Sequence, residues 1–329
     1  MKKILFGLLT LVLISCNEKT EKVFSLTGTT NGFEDGTILY LDVDNNTIDS
    51  TKIEGNKFVF NTKLPEDIVR ANVRTKNFSQ YRILWLENNT MTFDASSSDF
   101  RNAVVTGSKE EELKQNLFKE IKSLTRAEAL KKEMEFVNTH PNSRSSASIL
   151  SVYASTWGKE KTKELYDQFS EANKNSKDGK EIARFISLNK NPKIGESFVD
   201  FELENMHGEK RKLSELKGKT VLLEFWASWC GPCRKENPNL VKTYEEFNPK
   251  GFEIFAVSLD LDKKDWLQAI KKDNLNWEHV SDLKGDKSEA AFIYGIIGIP
   301  DNFLISSDGE IIGRGLRGEQ LNEKLQEIF

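Results

Sequence analysis

The chain contains only three cysteines and three histidines in 329 residues, and that scarcity excludes several chemistries. A structural zinc site needs four ligands, usually from two closely spaced pairs. Cys230 and Cys233 make one such pair, but His140, His207 and His279 fall in separate loop-like or strand-end stretches, so no metal is expected. An excess of positive charge is also lacking. With 47 Lys+Arg against 51 Asp+Glu the net charge is −4, and it becomes −6 once Lys2 and Lys3 are removed. A mildly acidic chain has no electrostatic footprint for nucleic acid. Beyond residue 16, no run is long and apolar enough to span a bilayer, which needs ~20 residues.

What the chain does have begins at its N-terminus, "MKKILFGLLTLVLISC". Lys2 and Lys3 precede an apolar run from Ile4 to Ile14, too short to span a membrane and suited to a signal-peptide core. Leu13-Ile14-Ser15-Cys16 resembles the bacterial lipobox. That resemblance implies cleavage before Cys16, lipidation there and a membrane tether; a plain secretory signal with an incidental Cys16, or a weak anchor, is the alternative. With Cys16 carrying lipid, residues 16–22 become a polar leash and Cys230 and Cys233 remain as a pair. The expected location is a bacterial cell envelope, facing the periplasm or outer surface, where such a pair can cycle.

Three compositions follow. Residues 23–107 are short β-branched and aromatic runs punctuated by Gly, Asn and Asp, as in "GTILYLDV" and "YRILWLE", and predict an all-β sandwich or barrel. Tyr40, Tyr81 and Trp85 there are candidates for core packing or for a binding face. Residues 108–190 are expected to be a helical connector. Leu113, Leu117, Ile121 and Leu124 keep helical spacing through residue 137, with further helices over Ser143–Ala154, Lys159–Ser170 and Gly179–Leu188. The run Lys109-Glu110-Glu111-Glu112 reads as a solvated, capping face. Residues 191–329 alternate buried strands such as "TVLLEFWAS" and "FEIFAVSLD" with helices, which predicts an α/β domain with a mixed sheet.

The chemistry concentrates in "EFWASWCGPC", residues 224–233. Cys230 is placed just before a helix opening near Gly231, with Pro232 tolerated in its first turn. Free backbone N–H groups and the helix dipole there favour an anion. Lowering a thiol pKa from ~8.5 to ~7 takes about 2 kcal/mol, within reach of such donors. Cys233, one turn on, is close enough for a disulfide and more buried. Cys230 is therefore the expected attacking thiol and Cys233 the resolving one. Trp229 is expected on the rim and Trp226 in the packing.

"LLEFWASWCGPCRKE", "YGIIGIP" and "NFLISSDGEIIGRGLRG" together resemble the thioredoxin fold, and specifically its membrane-tethered TlpA/ResA-like thiol–disulfide oxidoreductases. The β region with its helical block is similar to the uncharacterised DUF4369 domain fused to such lipoproteins. The resemblance implies a proton shuttle at Glu224, where thioredoxins carry an Asp, and a second acceptor at Glu236; sheet-edge and helix-surface charges are the alternatives. It also implies a cis-proline at Ile299-Pro300, facing the cysteines and offering a strand edge to an incoming peptide. Asp301 follows where the family usually has Thr, and an anion there opposes thiolate formation. Implied partners are protein disulfides or dithiols and a membrane thiol-electron carrier, with a role in cytochrome maturation and no cofactor. A peroxiredoxin is disfavoured because its Pro-x-x-x-Thr-x-x-Cys pattern is absent and position 227 is Ala. The reading from a different class makes the β region a ligand- or partner-binding part and the redox domain a passenger or switch.

Overall fold

In the computed structural model, residues 24–329 are described; the apolar N-terminal run, Cys16 and the leash lie outside them. The chain divides into two compact units, one ending at Ser123 and the other spanning Leu124–Phe329.

The first unit is built from Ser25–Thr29 (β1), Ile38–Val43 (β2), Asn46–Lys52 (β3), Lys57–Phe60 (β4), Ile68–Thr75 (β5), Tyr81–Glu87 (β6), Thr90–Asp94 (β7) and Val104–Thr106 (β8). They pair into two four-stranded sheets, β4-β1-β7-β8 and β3-β2-β5-β6. Alternation decides what each strand buries: Val69, Ala71, Val73 and Thr75 of β5 point into the core. Both sheets feed one cluster containing Leu26, Leu41, Phe60, Val73, Leu84 and Phe93. Gly28 is forced by close approach, since a Cβ there would lie 2.0 Å from the Phe58 ring. Trp85 is buried, whereas the Tyr40 and Tyr81 rings are covered by the guanidinium groups of Arg74 and Arg101.

Helix Lys109–Ile121 (α1) belongs to this unit. Its acidic start departs from the solvated face expected of it: Glu111 is fully buried, bonded by Arg82 at 2.8 Å and by the Trp85 N–H at 2.8 Å. Sequence spacing identified the helix but not the basic strand against which it docks.

The second unit opens with Arg126–Thr139 (α2), Arg144–Asp167 (α3), Glu171–Lys174 (α4) and Lys177–Leu188 (α5). The helical run expected through 137 breaks before Thr125, which starts α2 with a reciprocal capping box to Glu128. The two helices expected on either side of position 158 are both present, meeting at a kink where Gly158 at φ 78° breaks the helical path. There follow Glu202–Asn205 (β9), Lys210–Lys212 (β10), Thr220–Trp226 (β11), Gly231–Phe247 (α6), Phe252–Ser258 (β12), Lys263–Asp273 (α7), Glu278–Ser281 (β13), Glu289–Tyr294 (α8), Asp301–Ile305 (β14), Ile311–Arg314 (β15) and Gly318–Gln326 (α9).

These strands form one seven-stranded mixed sheet in the order β10-β9-β13-β12-β11-β14-β15. β11 runs parallel to β12 and antiparallel to β14. All seven residues of β11 are buried, which explains why it is apolar apart from Thr220 and Glu224. β13 was not apparent in the sequence because four residues of mixed polarity carry no period; it places His279 in the interior rather than at a strand end. Burial pushes the pKa of His279 down to about 3, with its ring between Trp226 and Trp277.

The helical block packs directly on α8. Phe185 meets Phe292 edge-on at 5.4 Å. The Asn189 side chain donates to the Phe292 carbonyl at 2.7 Å, and the Lys190 and Asn191 N–H groups donate to that of Ile293 at 3.0 and 2.8 Å. Those carbonyls are the ones a helix C-terminus leaves unpaired.

Candidate active site

β11 delivers the chain to the C-terminal edge of the sheet, where Ala227–Trp229 turn it into α6. That turn is held from both sides. The Ser228 N–H donates to both carboxylate oxygens of Asp260 at 3.2 and 3.0 Å, and its hydroxyl donates at 2.5 Å. From α6, Arg234 donates to the Ser228 carbonyl at 2.9 Å while pairing with Asp273, which Asn237 also supports at 2.7 Å. Asp260 is itself buried and accepts from the Ser258 hydroxyl at 2.7 Å. Asp260→Ala leaves the Ser228 groups unpaired and is expected to cost about 2 kcal/mol. Thermal denaturation beside a peptide-disulfide assay checks this: both stability and exchange rate should fall, and unchanged values would show that the turn holds without it.

Cys230 is the N-cap of α6, and its sulfur accepts the Cys233 N–H at 3.2 Å. The two cysteines are joined as a disulfide with Cα atoms 5.3 Å apart. Cys230 is 4% exposed and Cys233 1%. Trp229 is 66% exposed beside them, Trp226 is buried, and Gly231 and Pro232 are exposed at the helix start. Ile299–Pro300 is a cis peptide bond, with Ile299 half-buried and Pro300 buried.

Glu224 stays in the interior and does not reach the sheet edge. It is buried mid-strand opposite Asn302 of β14, and its Oε2 has no hydrogen-bond partner. Burial raises its pKa to about 8, opposed by the Asn302 side chain and the Arg317 cation and reinforced by Asp301 and Glu236. The protonated form predominates at neutral pH, beside an ionised minority. Asp301 is not an isolated anion, since Arg314 pairs with it at 2.7 Å. Glu236 is neither a free carboxylate nor an ion-pair partner of a neighbouring Arg or Lys; it accepts the Gly318 N–H at the start of α9 at 2.8 Å. Among the described residues, no three or more His, Cys, Asp or Glu cluster as metal ligands, and no helix is long and apolar enough to cross a membrane.

Sequence reasoning missed Asp260, Asn302 and Arg317. Asp260 had a signal, because it follows a buried strand at the sheet edge where α/β proteins gather functional groups. Asn302 and Arg317 had none, as their partners are set by the β14–β15 hairpin and the turn into α9.

A thioredoxin-like sheet presenting Cys-Gly-Pro-Cys at a helix N-terminus, with a cis-proline loop beside it, defines a thiol–disulfide oxidoreductase. Sequence comparisons with known proteins agree. The AhpC/TSA family matches residues 194–314, and the domain of unknown function DUF4369 matches residues 24–113. Thiol-disulfide oxidoreductase ResA of Bacillus cereus is 36% identical over 145 residues, 44% of this chain and 82% of that protein. Among solved structures, a thiol-disulfide oxidoreductase from Bacteroides fragilis is 40% identical, covering 41% of this chain and 100% of that one at a TM-score of 0.39. The thioredoxin domain of a thiol-disulfide oxidoreductase from Bacteroides vulgatus is 35% identical, covering 42% and 98% at a TM-score of 0.39. This chain belongs to the ResA-like thiol–disulfide oxidoreductases, with a DUF4369 domain ahead of the redox domain.

Proposed function

We propose that the protein is a lipid-tethered reductase of the bacterial cell envelope, acting on disulfides of other proteins and recharged by a membrane thiol carrier. The observation that carries the chemistry is the Cys230 sulfur capping α6 and receiving the Cys233 N–H at 3.2 Å, in the same domain as the buried acid Glu224. That donor and the helix dipole stabilise a Cys230 thiolate. The thiolate attacks a substrate disulfide, forms a mixed disulfide and expels one substrate thiolate. Ionised Glu224 takes the proton of Cys233, whose thiolate then attacks the Cys230 sulfur. Cys230–Cys233 is left oxidised and the substrate carries two thiols.

Reduction by the carrier runs the steps backwards. Protonated Glu224, the form that burial favours at neutral pH, supplies the proton to the departing Cys233. Trp229, Gly231, Pro232, Ile299 and Pro300 form the surface that receives the substrate chain, and the half-buried Ile299 backbone offers it a strand edge. The tether is the lipid on Cys16.

The direction of electron flow is tested by the midpoint potential of the Cys230–Cys233 couple. A value near the thioredoxin end, ~−270 mV, is expected; one near ~−120 mV would make the protein an oxidant.

A further inference from the structure

Arg317 takes no part in the steps above, yet two elements, β14 and α6, hold the backbone on either side of it. The Asn302 side chain, buried on β14, grips the backbone of Leu316 from both sides, donating to its carbonyl at 2.8 Å and accepting from its N–H at 3.0 Å. The Asn302 carbonyl accepts the Gly315 N–H at 2.9 Å. Glu236, on the cysteine-bearing helix, accepts the Gly318 N–H at 2.8 Å. Arg317 thus sits on a backbone fixed from β14 and from α6, extended at φ −145° as the N-cap of α9. From there its Nη2 donates to the carbonyl of Pro300. A surface arginine bonded to some carbonyl is commonplace; one whose own backbone is pinned on both sides to the two active-site elements is not.

We infer that Arg317 is a positioning residue for disulfide exchange, tying the substrate-facing Ile299–Pro300 loop to the cysteine helix. The inference rests on the roles proposed above for Cys230, Cys233 and Glu224. It separates two contributions of one side chain. The directed N–H fixes the Pro300 carbonyl and hence the edge that an incoming peptide pairs with. The charge favours the ionised form of Glu224, against Asp301 and Glu236, which favour the neutral form; Arg314 is already paired with Asp301.

The test is reduction of a cyclic peptide disulfide by the full chain in detergent, recycled with dithiothreitol, comparing Arg317→Ala and Arg317→Lys with the parent. In Arg317→Ala, KM is expected to rise about tenfold, the size of losing one charge-assisted hydrogen bond. The pH at which the Glu224-dependent step is half-activated should move up by about one unit. Melting temperature should hold, because the side chain is exposed. Lysine keeps the charge and loses the fork, so Arg317→Lys should restore the pH midpoint while KM stays raised. Unchanged KM and pH midpoint in Arg317→Ala would overturn the inference. So would a loss of rate that follows melting temperature with the pH midpoint unmoved. Glu224→Gln distinguishes a failure of the underlying reading: if it leaves the parent pH profile unaltered, the proton role falls and the charge half of the inference falls with it, while the KM comparison decides the loop half by itself.

Discussion

Cys230→Ser is expected to lose disulfide exchange by at least about 10³-fold, while Cys233→Ser is expected to attack substrate and then stall as a covalent adduct. The asymmetry follows from the helix. Cys230 occupies the N-cap, where its sulfur accepts an N–H and faces the unpaired donors of the first turn. Serine there keeps the hydrogen bond but stays a neutral hydroxyl at neutral pH, so there is no nucleophile for the first step. Cys233 is the more buried of the two, at 1% exposure against 4%. Removing it leaves the first attack intact and deletes the intramolecular thiol that releases the product. Mass spectrometry of each variant after incubation with a peptide disulfide reads this directly. An adduct of one peptide on Cys233→Ser and none on Cys230→Ser is the expected pair of results; the reverse would exchange the two roles.

The second large effect is on stability and has a definite sign. Glu224 has its pKa raised from 4.5 to about 8 in the folded chain. Between those values the folded state holds a proton that the unfolded state has lost, so stability is full below 4.5 and falls as pH rises towards 8. At pH 7 the loss is on the order of 3 kcal/mol. Glu224→Gln cannot ionise and escapes it. The oxidised variant is expected to melt several degrees above the parent at pH 7 to 8, with the gap closing near pH 4.5, while its exchange rate falls at least about tenfold.

His279 acts in the opposite direction. Its pKa is lowered from 6.5 to about 3, so it costs stability as pH falls below 6.5. Over pH 4.5 to 6.5 the two slopes offset one another, and the parent should show a plateau there with losses on both sides. Thermal denaturation across pH checks this; a variant that loses stability with rising pH as steeply as the parent would remove Glu224 as the cause.

What could be read from the sequence was what is contiguous in it. Cys230, Cys233 and Trp229 lie in one ten-residue stretch, and Glu224 stands out as the single charge on an apolar strand. The all-β character of the first unit was readable from its short β-branched and aromatic runs, and the α/β character of residues 191–329 from buried strands set between helices. Contacts that close over long separations were not readable. Ser228 meets Asp260 across 32 residues and Gly318 meets Glu236 across 82. Glu111 was misread for the same reason: helical spacing gives the face it occupies, while its burial depends on Arg82, 29 residues earlier on a strand. Glu236 shows a further limit, since its position near the cysteines was visible but its partner is a backbone N–H that no side-chain pattern reports.

The claim at the centre of the account is that Cys230 is the thiolate and Cys233 the resolving partner. Alkylation of the reduced full chain by iodoacetamide, followed cysteine by cysteine across pH by mass spectrometry, tests it most directly. Cys230 is expected to react first, with a midpoint well below the ~8.5 of a free thiol, while Cys233 stays protected at neutral pH. Faster labelling of Cys233, or a Cys230 midpoint at or above that of a free thiol, would contradict the account.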